Sequence, residues 1–167
     1  VAAKLGIWGT DLEKYYERVT EIPFSSSRKM MVCVTEPAKN AEKNELALIP
    51  ELELDAPRVA HVKGAPNYIL NKCSTILMDG PDGKPMLAPA DEALKKSVLD
   101  KVDELSKQAL RDLAIAVRPT QDTSELPEDV DQKFNLLVKD LVLIGLVASI
   151  DPERGGVKQA VQDARNA

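Results

Sequence analysis

Residues Leu141–Ile150 form an apolar run without a single charge, fenced by Asp140 and Asp151. At ten residues it is half of the roughly 20 that a membrane helix needs. A run this short between two acids reads instead as a strand at the centre of a sheet, ended by Asp151-Pro152. Such a strand must be covered on its faces, and a chain of 167 residues can bury about two-thirds of its unfolded surface without a staple. The composition, 44% hydrophobic and 29% charged, is that of one globular domain of ordinary size rather than of a disordered chain.

The rest of the chain interleaves strands and helices around that run. Met30–Thr35 is compact, apolar and rich in β-formers, and reads as a strand buried on both faces. Arg58–Lys63 reads as another. Gly64-Ala65-Pro66 then stops the strand and restarts the chain as a helix, predicted over Pro66–Cys73. Glycine permits the sharp turn, and proline suits the first helical position, where its missing N–H costs nothing. Ser74–Leu77 and Lys84–Leu87 read as a hairpin across Met78-Asp79-Gly80-Pro81-Asp82-Gly83. Leu94, Val98, Val102, Leu105 and Ala109 recur at helical spacing behind Asp91 and Glu92, which sit where the helix dipole favours anions.

Leu113–Val117 reads as a short buried strand, Pro119–Pro127 as a loop and Asp129–Leu137 as a short helix. A last helix starts near Glu153. Val1 to about Arg18 has a helical rhythm interrupted by Gly6 and Gly9. Pro37–Pro57 reads as a long surface connection, with room for a short strand near Leu46–Ile49. The fold class expected is α+β, with a twisted, mainly antiparallel β-sheet flanked by helices. The alternative is that the final strand and helix begin a separate α/β unit. The opening Val-Ala-Ala-Lys-Leu-Gly-Ile, without Met, reads as part of something longer.

Counting narrows the functions. Lys and Arg number 22 against 27 acids, a net charge of −5, so the long-range field opposes a nucleic acid or an anionic membrane. It does not oppose a small anion in a local basic site. His61 is the single histidine and Cys33 and Cys73 are the two cysteines, far from any C-x-x-C spacing, which removes His-rich and thiolate metal centres. The cysteines read as reduced, partly buried thiols, with a single disulfide as the alternative.

Three short stretches could carry chemistry. Phe24-Ser25-Ser26-Ser27-Arg28-Lys29 places an aromatic ring beside two cations, which is what an adenine nucleotide requires: one flat face and a polyphosphate tail. Stacking a base on such a ring contributes about 1–3 kcal/mol, and each charge-assisted hydrogen bond roughly 1.5–3 kcal/mol before ordering costs. The plain alternative is a core phenylalanine and two solvated cations. Lys63-Gly64-Ala65-Pro66 puts a lysine and a glycine ahead of a helix start, a plausible anion site or simply a common strand–turn–helix joint. In Leu110-Arg111-Asp112-Leu113-Ala114-Ile115-Ala116 an arginine at a helix end precedes a buried strand. Its planar fork suits phosphate, and it could equally pair with Asp112 or cap the helix.

Taken together, Phe-(x)4-Lys, Lys-Gly-Ala-Pro, Leu-Arg-x-Leu-Ala-Ile-Ala and Asp-Pro-x-Arg stand in an order and spacing that resembles the cation-transporting P-type ATPases, and most of all the type II branch containing the calcium pumps. The resemblance runs from Pro23 to about Val161. It implies a nucleotide-binding (N) domain inserted into a phosphorylation domain through two hinge strands. On that likeness Phe24 resembles the adenine-stacking phenylalanine. Lys29 and Lys63 resemble the lysines lining the nucleotide pocket, Gly64 the close-approach glycine, and Arg111 the arginine reaching the phosphates. Asp151, Pro152 and Arg154 match the returning hinge. Residues 1–150 would then be the nucleotide-binding domain, and 151–167 the hinge and the start of the returning segment.

Two positions depart from that pattern: Ser26 stands where calcium pumps commonly carry arginine, and Asn67 where glutamate usually follows Lys-Gly-Ala-Pro. No Asp-Lys-Thr-Gly phosphorylation motif, no glycine-aspartate magnesium motif and no G-x-x-x-x-G-K-[S/T] loop occurs in the sequence. The chain is therefore expected to bind ATP without hydrolysing it. Mg2+ would enter in the full-length protein, a membrane-embedded translocase. The partners implied are the phosphorylation and actuator domains of that parent, on the cytoplasmic side of its membrane. The alternative is a protein-interaction module of the same fold with a degenerate nucleotide pocket, using the charged connections Pro37–Pro57 and Pro119–Pro127.

Overall fold

The structure, a computed structural model, describes residues 13, 15–39, 52, 56–150 and 154–166. Its frame is a seven-stranded sheet in the order β1-β2-β3-β6-β7-β4-β5. The strands are β1 (Tyr16–Ile22), β2 (Met30–Pro37), β3 (Arg58–Gly64), β4 (Cys73–Asp79), β5 (Pro85–Pro89), β6 (Leu110–Thr120) and β7 (Leu141–Ile150). Neighbours pair antiparallel except β4 and β7, which run parallel. The helices of the described residues are α1 (Pro66–Leu70), α2 (Glu92–Ser106), α3 (Val130–Leu137) and α4 (Val157–Asn166). This is the expected α+β class, and Leu141–Ile150 lies inside the sheet between β6 and β4.

The strands sort their side chains by period two. On one face Met30, Val32, Val34, Ala60, Val62, Ala114 and Ala116 join Ile69 and Leu70 of α1 and Phe134 and Leu137 of α3 in the main core, with Leu94 and Val98 of α2 packed against it. On the other face a smaller core of Leu52, Ala56, Val59, Val117 and Val142 covers only one end of the sheet. The opposite end of that face is left open. Helices α2 and α3 begin as the sequence indicates: the Asp91 carboxylate accepts the N–H of Leu94 at 2.7 Å, and the Asp129 carboxylate that of Gln132 at 2.8 Å, each satisfying an orphan donor of the first turn.

Several expectations need correction. Tyr16–Arg18 belong to β1, not to a helix. Residues 1–12, which carry most of the expected opening helix, and Leu46–Ile49 fall outside the described residues. β2 alternates buried and half-buried residues instead of being covered on both faces. α1 stops at Leu70, and Cys73 opens β4. α2 ends at Ser106, short of Ala109, whose φ of 59° turns the chain directly into β6. That strand has 11 residues, Leu110–Thr120, so it takes in Arg111 at its start and Pro119, expected in a loop, at its end. The reading of both cysteines as free thiols holds.

Candidate nucleotide site at the open end of the sheet

The antiparallel pairing brings the three stretches singled out in the sequence to one end of the sheet. Met30 at the start of β2 pairs with Gly64 at the end of β3, and Gly64 pairs with Ala114 near the start of β6. One residue outward, the Lys29 carbonyl accepts the N–H of Ala65 at 3.0 Å. The Phe24–Lys29 connection is thereby tied to the Lys63–Pro66 turn, although more than thirty residues separate them in the chain.

Gly64 is required by this approach. A Cβ placed on it would lie 2.3 Å from the Lys29 carbonyl oxygen and 2.8 Å from Cγ of Met30. What crowds it is thus the protein's own backbone. Lys29 in turn has a φ of 55°, a left-handed conformation that costs a non-glycine residue roughly 1–2 kcal/mol. It is held by the Lys29 N–H donating to the Ser25 carbonyl at 2.8 Å and by the Arg28 N–H donating to Ser25 Oγ at 3.2 Å.

The open face beside this turn is built by alternation. Lys63 pairs with Met31 on β2 and with Ile115 on β6, so the three side chains share a face. Leu113 and Arg111 follow Ile115 at intervals of two. Leu113 is 41% exposed and Ile115 36%, whereas Ala114 between them and Ala116 after them are fully buried under the helices. Asp112 is turned to the helix side, where its carboxylate accepts Ser106 Oγ–H at 3.0 Å. The result is a floor of Met31, Leu113 and Ile115, with the exposed Lys63 amine at its edge and Phe24, 59% exposed, in the connection at the rim.

Lys29, Lys63 and Gly64 are thus brought together and Phe24 stands in the same loop. Arg111 is further away. It lies four residues along β6 from Ile115, about 13 Å at strand spacing, where β6 runs past the end of β3 and pairs with Ser149. There it also borders an open groove of about 500 Å3 with Pro66, Val102, Ser106 and Asp112. It is part of the strand, not the end of a helix as the sequence had suggested. Among the described residues Lys29, Lys63 and Arg111 form no ion pair.

Arg28 goes the other way. Its guanidinium lies 5.6 Å from the centroid of the Phe134 ring and donates to Asp131 Oδ1 at 3.2 Å, both on α3. Of the two adjacent cations, one anchors the loop to the helix layer and one is left at the rim. Sequence reasoning passed over Met31, Leu113 and Ile115 as site residues. The signal was present in Leu113-Ala114-Ile115-Ala116, where large and small residues alternate: the small ones lie under helices and the large ones face outward.

Deeper along the same face, Cys33 pairs with His61, and His61 Nε2 shares a hydrogen bond of 2.9 Å with Thr35 Oγ1. Burial lowers the His61 pKa and raises that of Cys33, so both are neutral at pH 7. Among the described residues no cluster of three His, Cys, Asp or Glu side chains could hold a metal ion.

A family model described as "P-type ATPase, cytoplasmic domain N" matches residues 1–156. A calcium-transporting ATPase of Bacillus subtilis is 31% identical over 99% of this chain, and calcium-transporting ATPase 1 of Lactococcus lactis 28% over 98%. The sodium/potassium-transporting ATPase subunit alpha of Tetronarce californica is 31% identical over 90% of it. The chain spans 16% of the length of each of the two bacterial relatives.

Proposed function

The chain belongs to the P-type ATPase cytoplasmic domain N family, and from that premise we propose that it is the ATP-binding domain of a calcium-pump-like, cation-transporting ATPase. Phe24 stacks the adenine. Lys29 and Lys63 hold the nucleotide by charge and hydrogen bonds, Gly64 allows the turn that brings them together, and Arg111 steers the phosphates. The Met31, Leu113 and Ile115 side chains lie where the base would rest.

The observation that carries this reading is the Lys29–Ala65 hydrogen bond, which sets the aromatic-and-lysine loop against the Lys63 turn beside an uncovered apolar floor. The groups present suit ATP: a flat apolar surface and three cations free of ion pairs among the described residues. The domain presents ATP to a phosphorylation domain, where an aspartate outside this chain takes the γ-phosphate with Mg2+ present. The phosphorylation and actuator domains are its partners, on the cytoplasmic side of the parent's membrane. Among the described residues no helix is long and apolar enough to cross a membrane.

Residues 1–150 form the nucleotide-binding domain on this reading, and 151–167 the hinge and the returning segment. In support of that division, α4 buries none of its side chains and leaves Val157 and Val161 exposed.

One stack and two or three charge-assisted contacts, less the cost of association, leave about 4–5 kcal/mol, which is roughly millimolar affinity. Titrating ATP against the chain while following backbone amide shifts tests the proposal. The expected response is centred on Phe24–Lys29, Lys63, Gly64 and Leu113. Unmoved amides in those segments at several millimolar nucleotide reject it.

A further inference from the structure

We propose that Arg28 is a positioning residue of the nucleotide site: without touching ATP, it fixes the Phe24–Lys29 loop by seating its guanidinium on α3. The inference rests on the ATP reading above and adds to it the helix layer on the other side of the sheet. Arg28 and Lys29 are consecutive, yet their roles diverge. The Lys29 carbonyl is bonded to Ala65 at the rim, while the Arg28 side chain reaches over the ring of Phe134, a core residue 8% exposed, and pairs with Asp131. The loop is therefore clamped from two directions, with the left-handed Lys29 between the clamps.

The energetics suit positioning better than stability. Asp131 is 81% exposed, and an ion pair with so solvated a partner contributes little to folding. The buried Nε of Arg28 has no hydrogen-bond partner, so the residue leaves a donor unsatisfied. What the contact does supply is geometry. It holds the loop at one distance from the helix layer, and Phe24, four residues before Arg28, has no hydrogen bond or ring contact of its own among the described residues. The placement of its ring depends on how the loop is anchored.

The test compares the unaltered 167-residue chain with Arg28→Gln and Arg28→Lys, measuring ATP affinity by amide-shift titration and stability by urea unfolding. Arg28→Gln is expected to weaken ATP about fivefold or more while the urea midpoint moves little, because ordering the loop must now be done by the ligand. Arg28→Lys, which keeps a cation over the ring, is expected to recover most of the loss. Should Arg28→Gln fail to fold, Asp131→Lys changes an exposed residue in the first turn of α3, and by repelling Arg28 from its seat it is expected to weaken ATP about threefold. Affinity within twofold of the unaltered chain in the folded variant overturns the inference. If the unaltered chain gives no ATP response at all, it is the ATP reading that fails, a result distinguishable from binding that the variants leave unchanged.

Discussion

The Lys29 carbonyl and the Ala65 N–H meet at 3.0 Å, and the space that lets them meet is the missing side chain of Gly64. The register dictates this. With Met30 opposite Gly64, the chain on both sides leaves the sheet at the same point and must turn in the same volume. The first prediction follows. In Gly64→Ala the added carbon faces a backbone oxygen at 2.3 Å and the Met30 Cα at 2.9 Å, neither of which can swing aside. The variant is expected to lose about 2–3 kcal/mol, the upper part of the range for overpacking, measured by urea unfolding. Its folded fraction should bind ATP more weakly, because the loop carrying Phe24 is pushed from the turn carrying Lys63.

Lys63 and Leu113 separate binding from stability. Both are exposed on the open face, and surface substitutions away from special features usually stay within about 0.5 kcal/mol. Lys63→Glu and Leu113→Gln are therefore expected to leave the unfolding midpoint nearly unchanged. Lys63→Glu should weaken ATP tenfold or more, on the order of 1.4 kcal/mol or above, since it replaces an attraction by a repulsion. Leu113→Gln should weaken it by a smaller factor. Equal affinities in all three proteins place the ligand somewhere else.

How far the sequence speaks can be judged from particular elements. β7 was legible because its uncharged run stands between two aspartates, the β4–β5 hairpin because glycine, proline and aspartate crowd its turn, and α2 because its apolar spacing follows a capping aspartate. β1 was not, since Tyr16–Ile22 exposes most of its side chains and an irregularity between Arg18 and Thr20 breaks the alternation that marks a strand. The start of β6 was hidden because Ala109, with no glycine to signal it, adopts a positive φ. Leu113 and Ile115 were read as buried because hydrophobicity is the signal of burial, and an uncovered face reverses that inference. The site residues were visible as short motifs. Their meeting was not, because it depends on the pairing of β2 with β3 and of β3 with β6, which no local pattern states.

Arg58 supplies a prediction about the fold itself. Its side chain is 8% exposed, pairs with Glu36 at 2.9 Å, and donates to the carbonyls of Ser124 and Thr123 at 2.8 and 3.2 Å. It thus staples the connection after β6 to the paired ends of β2 and β3. Arg58→Ala strips the Ser124 and Thr123 carbonyls of a charged donor and leaves the partly exposed Glu36 without its partner, and is expected to cost about 2 kcal/mol. Proteolysis should then cut first between Gln121 and Pro127. Nicking there no faster than in the unaltered chain would contradict the staple.

His61 gives the stability a pH dependence. Burial lowers its pKa from the ordinary value of 6.5, so above pH 6.5 it is neutral whether the chain is folded or not, and its contribution is fully present. As the pH falls below 6.5 the unfolded chain takes up the proton first, and stability declines until the native-state pKa is reached. Urea midpoints between pH 8 and 5 should show a decline that His61→Gln reduces. An identical pH profile in that variant would assign the decline to carboxylates.

The two thiols report where the ligand lies. Cys73 is buried, donates to the Ile69 carbonyl at 3.3 Å, and has its pKa pushed up to about 11 by burial; at pH 8 about one molecule in a thousand carries the thiolate that alkylating agents attack. Cys33 is also raised by burial, but it is half-buried on the open face, two residues from Met31 and paired with His61. Alkylation at pH 8, mapped by mass spectrometry, should therefore modify Cys33 well before Cys73. A nucleotide resting over Met31, Lys63 and Leu113 covers the approach to Cys33 and not to Cys73. Saturating ATP is thus expected to slow Cys33 several-fold and leave Cys73 as it was. Protection of both would mean that ATP acts by stabilising the whole fold, and protection of neither that it binds away from this face.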